Sequence, residues 1–155
     1  TDVTQYKVCD EKVYLSPVMD LYNREIVSYS ISTSPNLWQI REMLDGLFAK
    51  LPADASPVFH SDQGWQYQHA EYQRLLAEHN ITQSMSRKGN CMDNGAMENF
   101  FGRLKVEMFY GEKFENVNVF IDELKRYIDY YNYERISMKL KGMSPVQYRT
   151  HSVTT

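Results

Sequence analysis

Three acidic residues, far apart in the chain, stand where a carboxylate can do chemistry. Asp62 ends the apolar run of VFHSDQG (58–64) and is followed by Gln63 and Gly64. In open α/β sheets, sites form beyond the carboxyl ends of strands, where a carboxylate projects into a cleft without complete desolvation. The plainer role for an Asp in that position is a turn or cap. Glu98 stands beside Met97, Phe100 and Phe101 in NCMDNGAMENFFGRLK (90–105), a stretch patterned as an amphipathic helix. At about 100° per residue, Asn94, Gly102 and Lys105 share its face, and Met97, Phe100, Phe101, Leu104 and Met108 form an apolar stripe to one side. Gly102 costs roughly 1 kcal/mol relative to Ala and leaves the surface beside Glu98 bare. Lys105 lies about 10 Å further along the axis, too far to pair with Glu98 and well placed to meet phosphates running past it. Taken singly, Glu98 and Lys105 also read as solvated side chains on a helix edge. Asp2, in TDVT, completes the acidic set on the first predicted strand.

Together the three are more informative than apart. Thirty-five residues lie between Asp62 and Glu98. If the first strand is central and neighbours the fourth, Asp2 and Asp62 converge and Glu98 arrives from the helix above. Three carboxylates that close repel one another and partly protonate unless a cation holds them. Carboxylate oxygens with room for water and phosphate are the ligand set of Mg²⁺ or Mn²⁺.

The elements that must position these groups follow from the pattern. Residues 1–8, 12–21 and 24–32 are rich in Val, Ile, Tyr and Thr and predict an antiparallel three-strand meander with turns at 9–11 and 22–23. Pro17 inside the second run suggests an edge or a bulge. Leu37, Ile40, Leu44, Leu47 and Phe48 predict a helix over about 36–50, with Ser34 and Pro35 at its start. A strand at 56–62, a helix at 69–79 and a strand at 80–86 come next, then the basic loop of residues 87–90. The helix holding Glu98, one at about 117–133 and one capped by Ser144 with Pro145 at its first position complete the chain. The order predicts an α/β fold with a mixed five-stranded sheet, three antiparallel strands then two parallel ones, flanked by helices.

Composition sets the outer limits. At 155 residues and 43% hydrophobic, the chain suits one domain with a real core. No apolar run approaches the roughly 20 residues needed to cross a bilayer, no signal peptide opens it, and a cytoplasmic location fits. Cys9 and Cys91 make no disulfide framework and read as small buried hydrophobes. A net charge of −3 argues weakly against nucleic acid, but acidic groups that hold metal would reverse that balance. His60 and His69 lack the spacing of a zinc site and read as structural. Trp65 and Tyr67 either stack on a splayed base or pack under the sheet. Basic residues from Lys125 to Arg149 either contact phosphate or form a solvated face.

The sequence resembles the catalytic cores of DDE transposases and retroviral integrases, and in particular the insertion-sequence transposases closest to those integrases. The resemblance rests on TDVT (1–4), VYLSPVMDLYNREIVSYSIS (13–32), HSDQGWQY (60–67), SRKGNCMDNGAMENFFGRLKVE (86–107) and YNYERISMKLKGMSPVQYR (131–149), and spans nearly the whole chain. It implies a ribonuclease-H-like fold and an acidic catalytic and metal-binding triad at Asp2, Asp62 and Glu98, with Asp20 the rival for the first acid. It implies a DNA-contacting Lys105; Arg87, Lys88 and Asn94 are expected to join it. The implied cofactor is Mg²⁺ or Mn²⁺, two ions when DNA is bound, and the implied activity is cleavage and strand transfer at the ends of a mobile element. DNA and other copies of the chain are the expected partners, and no membrane. Asp2 lies almost at the first residue whereas the family's first strand continues upstream, so the chain is expected to be a single core domain (1–155) from a longer protein with an N-terminal DNA-binding region. A nuclease that only hydrolyses, or a DNA-binding module without catalysis, are the alternatives.

Overall fold

In a computed structural model the structure describes residues 1–89 and 94–154. Three antiparallel strands open the chain: β1 (Thr4–Val8), β2 (Glu11–Met19) and β3 (Ile26–Ser32), in the order β1-β2-β3. Cys9 and Asp10, at φ 49° and 62°, form the two-residue β1–β2 turn. Two successive left-handed residues give a turn whose twist matches the strands it joins. Cys9 is therefore exposed rather than buried: a two-residue turn leaves no side to cover it. Pro17 lies in the middle strand, past the β1 ladder, which ends at Leu15, so its missing N–H strands no partner on that side. The register shifts just beyond it, between Val18 and Met19.

Helix α1 (Leu37–Lys50) starts at Asn36, whose side chain accepts from the Gln39 N–H, two residues beyond the expected Ser34. It crosses β3 over small side chains. Ser28 and Ser30 donate to the Met43 and Gln39 carbonyls at 2.7 Å each. β4 (Val58–Ser61) and β5 (Thr82–Met85) pair in parallel around α2 (Ala70–Glu78). α3 (Gly95–Leu104) runs into a wider π turn, Lys105–Phe109, and α4 (Val117–Tyr133) and α5 (Pro145–Thr154) close the chain. Residues 90–93, the expected start of the helix that bears Glu98, lie outside the described residues, as does Cys91.

The mixed arrangement is the expected one, and its hydrogen-bonded ladders run as three strands and two. Among the described residues one bond joins them: the Thr1 nitrogen donates to the His60 carbonyl at 2.9 Å. Two residues on, the Val3 N–H, which a continuing ladder would aim at the same edge, donates instead to the Asp2 carboxylate at 2.8 Å. The sheet thus opens between β1 and β4 at the point where Asp2 and Asp62 stand.

A core lies on each face. Tyr6, Val13 and Leu15 meet Met97, Phe100 and Leu104 of α3 and Phe120, Leu124 and Ile128 of α4. Val18 and Phe59 meet Ile40, Met43 and Leu44 of α1 and Tyr72 and Leu76 of α2. No helix among the described residues is long and apolar enough to cross a membrane.

Asn132 ties α4 to the first core. Its buried amide accepts from the Ile26 N–H at 2.8 Å and donates to the Ile26 carbonyl at 2.9 Å, as a neighbouring strand would. Asn132→Ala strands both backbone groups, so urea denaturation should show a loss of about 2–4 kcal/mol.

Candidate active site

Asp62 follows β4 directly, and its turn fixes the carboxylate. Oδ1 accepts from the Gly64 N–H at 2.7 Å, an Asx turn of the kind that favours Asp two residues before Gly. A Cβ on residue 64 would come within 3.0 Å of that same oxygen, so glycine keeps the turn and the carboxylate compatible. The turn role expected for an Asp at this position is thus real, and it occupies only one of the two oxygens. Among the described residues Oδ2 of Asp62 and Oδ2 of Asp2 have no hydrogen-bond partner.

Asp2 is half-buried, and its carboxyl is raised above the ordinary range. Desolvation is the main cause; the charges of Asp62 and Glu98 push the same way, while the Val3 N–H opposes them. Both other acids therefore lie within electrostatic reach of Asp2. Asp20 is not among the charges acting on it. Asp20 instead shapes the β2–β3 turn: its Oδ1 accepts from Tyr22 N–H at 2.9 Å and its backbone bonds to Arg24 and Glu25. Among the described residues no three acidic, His or Cys side chains already stand close enough to hold a metal ion. The acids are gathered without being clasped. Hard carboxylate oxygens in a half-buried, repulsive set are nonetheless the donors a divalent cation fits, since its charge removes the repulsion.

α3 runs beside β1. Glu98 is exposed on it, and Gly102 opens onto free space, with nothing within 4 Å of where a Cβ would stand. Lys105 reaches the other end of the same strand, its Nζ 5.7 Å from the centre of the Tyr6 ring. Asp2 and Tyr6, four residues apart along the strand, span about 13 Å, close to the helix rise from Glu98 to Lys105. Asn94, at the start of α3, donates from Nδ2 to the Thr1 carbonyl at 3.3 Å, so it fastens the helix to the first strand. Arg87 and Lys88 are exposed after β5. Their segment is anchored by Ser86, whose N–H donates to Ser61 and whose carbonyl accepts from the Gln63 amide.

Both histidines are structural. His60 bonds Ser84 through Nδ1 and Ser86 through Nε2, each at 2.9 Å, and His69 caps α2 by accepting from Glu71 N–H. Tyr67 is buried in the second core, whereas Trp65, three residues from Asp62, is 58% exposed. Sequence reasoning missed the Asn94–Thr1 tie and the π turn. That turn brings Glu107 to Arg135, whose Nε donates to both carboxylate oxygens at 2.8 and 2.9 Å, with Tyr127 Oη bonded to Glu107 as well. Nothing local in the sequence signals a π turn.

This is the fold of retroviral integrase catalytic cores, a ribonuclease-H-like α/β architecture. The catalytic core of BIV integrase superposes with a TM-score of 0.66 at 16% identity, over 99% of this chain and 95% of that one. The HTLV-2 integrase core, solved in complex with magnesium, gives 0.62 at 18%, over 95% and 91%. The chain belongs to the integrase core domain family: profiles described as Integrase core domain match residues 1–91 and 98–153. An uncharacterized transposase-like protein of Haemophilus influenzae is 54% identical over 99% of the chain and 70% of its own length. The putative transposase InsK of insertion sequence element IS150 from Escherichia coli is 53% identical over 98% of the chain. The chain spans only 54% of that protein's length.

Two outcomes follow from this geometry. Gly102→Ala meets open space in a helix, so it should raise thermal stability, by about 1 kcal/mol. The Arg135 bonds hold the Glu107 carboxyl below its usual range. A carboxyl depressed in the folded state adds stability above its unfolded value, near about 4.3, and loses it as pH falls through the folded value. Arg135→Met should therefore cost about 1 kcal/mol or less at pH 7, and the gap from the parent should close below about pH 4 in melts taken across pH.

Proposed function

We propose that this chain is the catalytic core of an insertion-sequence transposase that cuts and joins DNA strands with divalent metal ions. The observation that carries the reading is Asp2, half-buried, with its carboxyl raised by desolvation and by the charges of Asp62 and Glu98, in a chain of the integrase core family. Asp2, Asp62 and Glu98 would hold two Mg²⁺ or Mn²⁺ ions. When bound, such a pair activates the attacking water or 3′-hydroxyl and stabilises the leaving oxygen of an in-line displacement.

The chain's own groups supply the rest. The turn through Gly64 holds Asp62 in one orientation, and the Val3 N–H does the same for Asp2. Asn94 keeps α3, and Glu98 with it, against the first strand. Lys105 lifts off Tyr6 to meet a phosphate beyond Glu98, Arg87 and Lys88 contact the backbone from the β5 side, and Trp65 offers an aromatic face for a base next to the reacting phosphodiester. No serine, tyrosine or cysteine nucleophile is required. Further copies of the chain join in the active complex, and the exposed Ile136 and Met138 beyond α4 offer apolar contact surface.

In the full-length protein, Asp62→Asn or Glu98→Gln should each cut strand joining on the order of a thousandfold, because metal ions supply several kcal/mol to the transition state. The assay reads joined strands against nicks. Nicks without joining would mean a hydrolysing nuclease, and unchanged activity in both variants would mean these acids take no part. Mn²⁺ should also raise the melting temperature of the parent chain, and that rise should vanish in Asp62→Asn.

A further inference from the structure

We propose that a basic cleft on the opposite flank of α3 from Glu98 binds a backbone phosphate of DNA. This rests on the DNA reading above but on none of the acidic residues. The cleft, of about 60 Å³, has Arg24, Arg103, Arg135 and Lys139 in its wall over a floor of Phe100 and Tyr131. Such a volume holds about two waters, enough for the oxygens of one phosphodiester. Among the described residues no Asp or Glu lines it.

Four cations from four separate segments are not explained by helix capping. Arg103 alone suits the negative end of α3; Arg24 comes from the β2–β3 turn, Arg135 from beyond α4, and Lys139 from the short 3₁₀ turn Met138–Leu140. Among the described residues Arg24, Arg103 and Lys139 have no carboxylate within 4.0 Å. Glu107 offsets one of the four charges; the surplus of like charge opposes folding unless an anion joins it. Arg135 is oriented in advance, since Glu107 takes its Nε and one Nη and leaves Nη1 for the cleft.

The backbone that presents Arg24 is unusual. Its φ of 65° is left-handed, a conformation non-glycine residues adopt at some cost. Two bonds hold it there: its N–H donates to Asp20, and its carbonyl accepts from Tyr131 Oη at 2.7 Å. The Tyr131 hydroxyl, raised by burial to about 12, feels Arg135, Arg24 and Arg103 in the opposite direction, so all three guanidinium groups lie within electrostatic reach of it. Guanidinium forks match phosphate oxygens two at a time. Arg103 follows Glu98 by five residues, about 8 Å along the axis and about 140° around it. DNA engaged at the acidic flank would therefore have a second phosphate contact across the helix.

Fluorescence anisotropy with a labelled duplex, across a chloride series, tests this. Arg103 and Lys139 are both exposed, so Arg103→Ala/Lys139→Ala should keep the parent's circular dichroism. It should bind duplex about tenfold more weakly, with a log–log salt slope smaller by about 2. Lys12→Ala/Lys113→Ala removes the same charge from the other end of the molecule and should match the parent. If the two double variants bind alike, the cleft is not a DNA contact and the proposal falls alone. If the parent binds no duplex, the DNA reading falls and takes the proposal with it. In a parallel experiment, the side-chain NMR signals of Arg24 and Arg103 should move on adding inorganic phosphate or duplex. Movement with a polyglutamate peptide but not with duplex would assign the cleft to an acidic protein segment and overturn the proposal.

Discussion

The constraint at the candidate site is that like charges stand near one another in a folded chain. Asp2 is the pressure point: it is half removed from water, and Asp62 and Glu98 both raise the cost of its charge. The structure bears that cost by distributing the acids over separate elements. One follows β4, one precedes β1, and one rides on a helix packed into the first core and tied to Thr1 by Asn94. The opening between β1 and β4 falls at the same place, where Asp2 and Asp62 stand.

The architecture was legible where a period was strong. The apolar spacing of α1 and α4 gave helices within a residue or two, and Ser144 with Pro145 marked α5. There Ser144 and Gln147 cap each other through reciprocal backbone bonds, at 3.0 and 3.3 Å. The three-strand meander and the parallel pair followed from composition and order. Reading from alternation was harder in β3, where Ser28 and Ser30 are buried with Ile26, and Val27 and Tyr29 are only partly covered. Small hydroxyls let α1 approach closely and are satisfied by its carbonyls, a fact about a neighbouring element that no single strand records. Cys9 was misread for a similar reason, since burial preference says nothing of a turn that admits two left-handed residues.

Of the site, the residue types and spacing could be read, and how each is held could not. The Asp-Gln-Gly turn carries a local signal, and the structure uses it. The bond from Asn94 to Thr1 joins residues 93 positions apart, and a pattern search along the chain cannot see it. Gly102 shows the reverse case: its cost in a helix and the bare surface beside it were both legible, and the structure places open space there. Asp20, the rival for the first acid, shapes a turn through Oδ1 and is not among the charges that act on Asp2.

The wide turn at Lys105–Phe109 has a consequence for how this segment can change. One extra residue per turn lets a single continuous helix serve two clients, β1 through Lys105 and α4 through Glu107. Losing one residue there would tighten the coil and swing the following side chains by about 100°, so Glu107 would leave Arg135 while the acidic flank stayed intact. The segment is thus a phase adjuster: point changes can be absorbed on either side of it, but insertions and deletions cannot.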